Sequence, residues 1–377
     1  MGTGDGSDYG RMYSNKQQGM QVTAVIVSFN TEQHLGACVH TLLNQTYPHL
    51  NIVVVDNNSG DRSVSIAQRF NRRIKVIANW SNLGFAGAAN QGIAQAPDHS
   101  GAVFICNPDV RLHPDHIAKL VARLESDPTI ASVQGRIHRL DVSDGVDEYA
   151  YSPQTVPAQP IRDRHGNPII DTTGHSAHRN RVFRNRGEGQ PDLGQIEGGE
   201  VFGVSGCAAL YRTEALHDIA INGEIFDEDF FAFFEDVDVD WRLRRRGWIA
   251  YHEPTAIALH ERGGSGARRS AFVERLSYRN WFLTVLKNDD WQAIGPDAHL
   301  LGATTFLRTA DLAFHVPTAF LGAIKDSELV GKMLLKRNEI QSAARISNRQ
   351  IIDQWFGPFD YADWIRRRLQ RKRRAIS

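Results

Sequence analysis

The sequence has few cysteines, and they are widely spaced. Its 377 residues include three, Cys38, Cys106 and Cys207, each in an apolar context. Cysteines this far apart do not match a disulfide framework or a zinc site, whose ligands come in short, repeated spacings. We therefore predict that all three are small core side chains in a protein of a reducing compartment.

The chain also lacks an excess of charge of either sign. It has 43 Lys and Arg against 43 Asp and Glu, for a formal net charge of zero. Proteins that bind nucleic acid attract phosphates with a positive field, so this balance argues against such a partner. A hydrophobic content of 41% with 23% charged residues is typical of a soluble globular protein.

No stretch of the sequence is long and apolar enough to span a bilayer. The nearest, residues 298–324, is interrupted by Arg308, Asp311 and Pro317, and we expect buried or interfacial helices there. Residues 1–20 are rich in Gly, Ser and Gln without an apolar centre. They do not resemble a signal peptide, and we predict a disordered leader.

Two glycine-rich phosphate motifs are missing as well. No G-x-G-x-x-G follows the first apolar run, and G-x-x-x-x-G-K-[ST] occurs nowhere. These motifs hold phosphates of dinucleotides and nucleoside triphosphates on backbone N–H groups. Any phosphate bound by this chain must be held by another arrangement.

What the sequence does contain is an alternation of apolar runs with helical patterns. The predicted strands are 22–27, 52–55, 74–77, 102–106 and 130–133. The segments between them carry helical periodicity, and Asn30 is a predicted cap for the first helix. This alternation predicts an α/β fold with a mostly parallel central sheet flanked by helices.

Polar residues collect directly after the predicted strands. The groups are Ser28–Asn30, Asp56–Ser59, Asn82–Gly84 and Asn107–Asp109. Any one of them alone is typical of an ordinary loop. Because the carboxyl ends of parallel strands meet at one edge of a sheet, four together predict a ligand crevice there.

The second half of the chain has a different texture. Residues 141–200 have weak periodicity and predict an inserted region of loops and hairpins, and strand patterns return at 248–251 and 256–259. Beyond Phe272 the pattern is helical. The chain then carries aromatic residues followed by seven basic ones between Arg366 and Arg374, which suit either an anionic membrane surface or a solvated tail.

Residues 229–248 combine an aromatic run with charged side chains. Four phenylalanines precede Glu235 and Asp236, and a helical pattern then carries Asp238 and a series of arginines. One interpretation is a helix start, where acids favour the positive end of the dipole. The other is a site for proton transfer, because acids against an aromatic wall have raised pKa values.

Together these segments resemble family 2 glycosyltransferases, inverting enzymes with the GT-A fold. The resemblance lies in six segments in the family's order: Val25-Ile-Val-Ser-Phe-Asn30, Val54-Val-Asp-Asn-Asn-Ser59, Asn82-Leu-Gly-Phe-Ala-Gly87, Asn107-Pro-Asp109, Phe234-Glu-Asp-Val-Asp238 and His260. Within the family, Glu200–Arg212, Asp227–Phe231 and the Gly-rich residues after His260 are similar to bacterial rhamnosyltransferases. The resemblance implies a GT-A fold and transfer of a sugar from a nucleotide diphosphate.

The resemblance also implies roles for the polar loops. Asp56 matches the position that bonds the pyrimidine ring, although a turn-forming role is its alternative. Ser28, Phe29 and Asn30 would border the ribose and base, and Asn107 would lie beside the diphosphate. Asn82 and Gly84 would approach the nucleotide or its sugar.

The segment Asn107-Pro108-Asp109 takes the place of the family's D-x-D motif. Asn107 replaces the first acid, which leaves Asp109 as the metal ligand, and His260 matches a second ligand position. One carboxylate and one imidazole suit Mn²⁺, while Mg²⁺ prefers oxygen ligands. The expected cofactor is Mn²⁺ or Mg²⁺.

For the acceptor, the resemblance implies that Asp236 is the general base, with Glu235 holding the acceptor or tuning Asp236. Exchanged roles stay open. Arg262, Arg268 and Arg269, around a Gly-rich loop, are candidates for a phosphate clamp, with solvated arginines as the alternative.

The implied enzyme is a cytoplasmic glycosyltransferase at the inner face of the cell membrane. We predict dTDP-L-rhamnose as donor and a glycan or lipid-linked glycan of the cell envelope as acceptor. A UDP-sugar donor carrying galactofuranose or glucose is the first alternative. A nucleotide-sugar-binding protein without catalysis, or a nucleotidyltransferase, is the alternative from another class.

Four regions follow from this interpretation. Residues 21–140 would form the nucleotide-sugar-binding half, and 141–270 the insertion with the acceptor-side, catalytic half of the same GT-A domain. Residues 1–20 would be the leader, and 271–377 a helical region ending in the basic aromatic tail.

Overall fold

A computed structural model of the protein describes residues 19–140, 158–261 and 270–362. The strands in these ranges are β1 (Val22–Ser28), β2 (Leu50–Asp56), β3 (Lys75–Ala78), β4 (Ala102–Cys106), β5 (Val110–Leu112), β6 (Ile130–Arg139), β7 (Ile170–Thr172), β8 (His175–His178), β9 (Phe183–Asn185), β10 (Gly199–Val201), β11 (Ala208–Arg212), β12 (Ile249–His260) and β13 (Phe356–Gly357). The helices are α1 (Leu35–Leu43), α2 (Ser63–Gln68), α3 (Gly84–Ile93), α4 (His116–Ser126), α5 (Thr213–Asp218), α6 (Glu235–Arg245), α7 (Ala271–Asn288), α8 (Trp291–Ile294), α9 (Ala298–His315), α10 (Pro317–Lys325), α11 (Glu328–Ser342) and α12 (Asn348–Trp355). Short 3₁₀ turns lie at Glu228–Phe230 and Gly295–Asp297.

The central sheet confirms the predicted α/β class. Its order is β10-β12-β6-β11-β4-β1-β2-β3, with β5 paired to β12 and β7 to β6. The neighbours β3, β2, β1 and β4 are parallel, as are β6 and β12. The strand β11 runs antiparallel between these two blocks and joins them.

Helices cover both faces of the sheet because its strands are apolar on both sides. In β1, Ala24 and Ile26 pack with apolar residues of α1 and α4, while Val25 and Val27 pack with those of α3 and α6. All seven residues of β1 are buried. A strand buried on both faces reads as a continuous β-branched run, which is the pattern that predicted it.

Two local predictions are wrong. Asn30 does not cap a helix, since α1 begins at Leu35; Asn30 instead has a φ of 53° and accepts a hydrogen bond from Gly60 N. The strand patterns at 248–251 and 256–259 are one strand, β12, because an irregularity between Glu253 and Ile257 accommodates the residues between them.

The region with weak periodicity contains β7, β8 and β9. Strand β7 adds to the central sheet beside β6, while β8 and β9 form a small sheet with β13 from the C-terminal part of the chain. Among the described residues, none of the helices has the length and apolarity that a membrane crossing requires.

Candidate active site

A cleft of 1240 Å³ opens at the carboxyl ends of the parallel strands. The predicted site residues that line it are Phe29, Asn82, Gly84, Asn107, Glu235, Asp236 and His260. Small-molecule pockets are commonly about 300–1000 Å³, so this cleft has room for two ligands at once. Parallel pairing creates the site, since it sets Ser28 directly beside Asp56.

The loops after β1 and β2 are bonded to each other. Ser28 Oγ lies 2.9 Å from Thr31 Oγ1, and Asn30 N donates to Ser59 Oγ at 2.9 Å. Asp56 is buried and accepts from Ser59 N at 2.9 Å and from Ser59 Oγ at 2.6 Å. The turn-forming alternative thus accounts for both Asp56 oxygens, although a carboxylate retains lone pairs for a further donor. Its role with a base stays a prediction.

Gly84 lies where only glycine fits. Its φ is +74°, and a Cβ there would lie 2.4 Å from the carbonyl oxygen of Phe231. Asn82 Oδ1 accepts from Gly84 N at 2.8 Å, and Ala86 N donates to Phe231 O at 3.1 Å. The loop before α3 therefore touches the residues that precede the proposed base.

Those residues have an unusual backbone. Phe231, Phe233 and Phe234 have φ values of 65°, 74° and 70°, a region that bulky side chains rarely adopt. Phe230 alone of the four phenylalanines is fully buried, and Phe233 is 41% exposed, so the aromatic run lines the cleft more than it fills the core.

A buried asparagine on α7 holds this segment in place. Asn280 Nδ2 lies 2.8 Å from the carbonyl oxygens of Phe230, Ala232 and Phe233. The Phe230 carbonyl oxygen also accepts from Ala232 N and from Arg279 Nη2, so Asn280 supplies a shared donor that ties the three carbonyl groups together. Sequence reasoning missed Asn280, since it lies in an ordinary helical pattern about 50 residues from its partners.

The proposed base, Asp236, lies in the first turn of α6 and opens onto the cleft. Its Oδ2 accepts from Gly206 N at 3.0 Å and lies 3.5 Å from His175 Nε2. His175 Nδ1 lies 2.7 Å from Asp240 Oδ2, and Asp240 Oδ1 also accepts from Val204 N. A buried imidazole therefore joins Asp236 to a second carboxylate one helical turn away.

Glu235 differs from its neighbour. Burial, together with the charge of Asp236, raises the pKa of Glu235 to about 8, so this carboxyl is protonated at neutral pH. Asp238 is a structural residue, as one of the two interpretations of this segment expected. It is fully buried and pairs with Arg242 at 2.8 Å and with Lys287 at 2.8 Å.

The two predicted metal ligands meet at the end of β12. Asp109 Oδ1 lies 3.2 Å from His260 Nε2, and His260 Nδ1 lies 2.8 Å from Asp171 Oδ2. Adjacent ligands of an octahedral ion at about 2.1 Å are about 3 Å apart, so Asp109 and His260 fit a divalent ion. A carboxylate behind a ligating histidine is the usual orienting partner, and Asp171 supplies it.

The two carboxylates beside His260 determine the electrostatics of this pair. Burial disfavours the imidazolium, but the Asp109 and Asp171 carboxylates at its two ring nitrogens outweigh burial and raise the pKa of His260 well above its usual value. Cys207 Sγ also lies within 4.8 Å of ligand atoms of Asp171 and His260, but burial raises the pKa of its thiol, which disfavours the thiolate that metals bind.

Asp171 and His175 are the site residues that the sequence did not reveal. Both belong to the stretch of weak periodicity and lie outside the segments that carry the resemblance. Arg262, Arg268 and Arg269, the candidates for a phosphate clamp, lie outside the described residues.

Residues 23–220 match the family model described as Glycosyl transferase family 2, which is more than half of the chain. The chain belongs to glycosyl transferase family 2. This membership rules out the nucleotidyltransferase alternative.

Among its relatives, the glycosyltransferase is 26% identical over 261 residues to N-acetylglucosaminyl-diphospho-decaprenol L-rhamnosyltransferase of Mycobacterium tuberculosis. That alignment covers 66% of this chain and 78% of the relative. An uncharacterised glycosyltransferase of Haemophilus influenzae is 31% identical over 116 residues, which cover 30% of this chain and 35% of that protein. The predicted similarity to bacterial rhamnosyltransferases is thus confirmed, at 26% identity.

A solved structure supports the GT-A fold. The crystal structure of GalNAc-T7 with UDP, GalNAc and Mn²⁺ superposes with a TM-score of 0.54 at 15% identity. The match covers 80% of this glycosyltransferase and 59% of that chain. At this identity the likeness concerns the fold alone.

Proposed function

We propose that this glycosyltransferase moves L-rhamnose from dTDP-L-rhamnose to a hydroxyl of a lipid-linked cell-envelope glycan, with inversion at the anomeric carbon. One observation carries the mechanism: Asp236 and His260 line the same cleft, and His260 Nε2 lies 3.2 Å from Oδ1 of the buried Asp109. The relative from Mycobacterium tuberculosis, whose name specifies L-rhamnose transfer to a decaprenol-linked sugar, supports the choice of substrates.

In the proposed reaction the acceptor hydroxyl oxygen attacks the anomeric carbon as the bond to the diphosphate oxygen breaks. Asp236 takes the hydroxyl proton, and the leaving nucleoside diphosphate takes the bonding electron pair. General-base catalysis of this kind accelerates a reaction by roughly 10²–10⁴-fold. His175 is a positioning residue, because its contacts with Asp236 and Asp240 limit how the carboxylate can turn.

Asp109 and His260 are the residues that would hold Mn²⁺ or Mg²⁺. Such an ion supplies positive charge to the diphosphate and stabilises it as a leaving group. With the ion bound, Asp171 would hold the His260 proton on Nδ1, which lies 2.8 Å from its Oδ2, and leave the Nε2 lone pair for the metal. On the donor side, Asn82, Gly84 and Asn107 would contact the nucleotide sugar, with Phe29 beside the base.

The acceptor would be reached at the inner face of the cell membrane. The basic tail, from Arg366 to Arg374, would contact anionic lipid. These residues lie outside the described part of the chain. UDP-galactofuranose and UDP-glucose are the alternative donors, and binding of a nucleotide sugar without transfer is the alternative to an enzyme.

A panel of dTDP- and UDP-sugars tests the proposal. Each donor is titrated into the protein with Mn²⁺, with Mg²⁺ and with chelator, and slow hydrolysis is followed by release of the nucleoside diphosphate. We expect the tightest metal-dependent binding, and hydrolysis, with dTDP-L-rhamnose. Preference for a UDP-sugar would overturn the donor, and binding without hydrolysis or transfer would overturn the enzyme.

A further inference from the structure

Helix α9 has its polar and apolar sides arranged in an unusual way. Arg308, Asp311 and His315 belong to the side that lines the cleft, whereas Phe306 and Phe314 point outward and are 72% and 84% exposed. A helix of a globular protein ordinarily turns its apolar stripe toward the core and its charges to water. The outward side of α9 has the reverse character.

The apolar surface continues onto α10. Leu321 and Ile324 are 58% and 53% exposed, and they lie three residues apart on one side of that helix. With Phe306, Leu307 and Phe314 they form what we call the apolar face. Between residues 298 and 325 the only acid is Asp311, which lines the cleft, so α9 and α10 themselves bring no other carboxylate to this face.

The sequence that follows the described residues is strongly basic. Residues 363–377 contain six Arg and one Lys against one Asp. The chain enters this segment next to α9, since Tyr361 Oη lies 3.1 Å from Thr304 Oγ1. An apolar face with a basic segment attached beside it is the combination that binds the surface of an anionic bilayer.

A second copy of the chain is a poorer match for this face. A symmetric dimer through it would bring two copies of the same basic segment together, and like charges oppose such an interface. A bilayer with anionic headgroups instead neutralises the basic segment and covers the aromatic side chains. None of the described helices is suited to crossing the membrane, so α9 and α10 would lie along its surface.

We infer that the apolar face of α9 and α10 docks on an anionic lipid bilayer and holds the acceptor side of the cleft against it. Leu312 and Val316 line the cleft close in sequence to Phe314, so docking brings the cleft to the headgroups. The inference rests on the proposed function for its lipid-linked acceptor, but lipid binding itself can be measured without any sugar transfer.

The test is co-sedimentation of the full chain with vesicles of phosphatidylcholine, with and without phosphatidylglycerol. We expect the wild type to bind the phosphatidylglycerol vesicles, and the double variant Phe306→Ser/Phe314→Ser to lose about ten-fold or more in partitioning. Leu193→Ser, a control at a side chain that is 69% exposed outside these helices, should bind like the wild type. A second variant, Leu321→Ser/Ile324→Ser, repeats the test on α10.

Three results would overturn the inference. They are wild-type protein that does not bind phosphatidylglycerol vesicles, a Phe306→Ser/Phe314→Ser variant that binds like the wild type, and a wild-type dimer that the same variant converts to monomer in sedimentation velocity. Donor hydrolysis without vesicles separates this failure from failure of the proposed function. Because Phe306 and Phe314 do not line the cleft, the double variant should hydrolyse donor at the wild-type rate.

Discussion

Two regions beside the cleft differ in how their polar groups are hydrogen-bonded. At the donor edge, formed by the loops after β1 and β2, the side chains of Ser28, Asn30 and Asp56 bond to neighbouring residues. In the catalytic segment, residues 231–240, the backbone is strained and Glu235 Oε2 is buried without a hydrogen bond among the described residues. Side-chain hydrogen bonds thus hold the donor edge, whereas the catalytic segment has a strained backbone beside the proposed base.

This contrast follows from the sequence separation of the residues that contact each other. The donor edge joins loops about 30 residues apart, which parallel pairing of β1 and β2 already sets side by side. The catalytic segment relies on distant partners, with Asn280 on α7 and His175 on β8. We therefore expect substitutions in the catalytic segment and its partners to reduce catalysis while donor binding at the other edge survives.

The largest effect should come from Asp236→Asn. The amide cannot accept the hydroxyl proton, so turnover should fall by roughly 10²–10⁴-fold. The dissociation constant for the donor, measured by calorimetry, should stay within about two-fold, since the donor edge is untouched. Asp353→Asn, at a side chain that is 44% exposed, is the matched control. Near-normal transfer by Asp236→Asn would remove Asp236 from its proposed role.

Glu235→Gln should change how stability depends on pH. The folded-state pKa is raised from 4.5 to about 8, so the folded protein retains a proton that the unfolded chain releases. Stability therefore falls as pH rises from about 4.5 to about 8.

The amide does not ionise, so this loss of stability is absent in Glu235→Gln. The change that the substitution causes in the free energy of unfolding should therefore be more favourable at pH 8 than at pH 5, by on the order of a few kcal/mol. Urea unfolding at the two pH values measures this difference. Glu339→Gln, at an exposed position on α11, should show none. An equal effect of Glu235→Gln at both pH values would contradict a protonated Glu235.

Asp171→Asn should weaken Mn²⁺ binding by about 10–100-fold, because loss of the orienting carboxylate frees the His260 ring. Calorimetry or electron paramagnetic resonance of free Mn²⁺ measures this affinity without turnover. Asp192→Asn is a matched control, since Asp192 Oδ2 similarly contacts His138 Nε2 at 2.6 Å but lines no part of the cleft. If both variants bind Mn²⁺ like the wild type, Asp171 does not serve a metal site.

The smallest effect should come from Asn280→Ala. It leaves the carbonyl oxygens of Phe230, Ala232 and Phe233 without their shared donor, which should cost about 1–2 kcal/mol in the free energy of unfolding. The turnover number should also fall, with little change in donor affinity, because Asp236 follows the loosened segment. Asn338→Ala, exposed on α11, controls for loss of an asparagine. If Asn280→Ala instead loses donor affinity and keeps its turnover number, Asn280 supports donor binding and not the catalytic segment.

The sequence by itself determined the α/β fold and the edge of the sheet at which the cleft lies. Buried strands such as β1 and β4 are short, continuous apolar runs, and such runs can be recognised without their neighbours. Polar residues after each run then follow the strand ends to one edge of the sheet. For this reason Phe29, Asn82 and Asn107 were expected in the cleft, and they line it, whereas the lining does not include Ser28, Asn30, Asp56 and Asp109. His260, expected from the resemblance, also lines the cleft.

Only the tertiary structure decided which side chains stand behind those residues. Asp171 and His175 lie in a region without periodicity, and they reach His260 and Asp236 because β7 joins the central sheet and β8 follows it. Asn280 contacts backbone carbonyl groups, which every residue has, so the sequence does not indicate these contacts. In the sequence, the apolar face of α9 was visible only as an interrupted apolar stretch. The packing of α9 shows which of its sides lines the cleft and which is exposed. Local patterns encode burial and strand ends, whereas partners distant in the chain depend on how the elements pack.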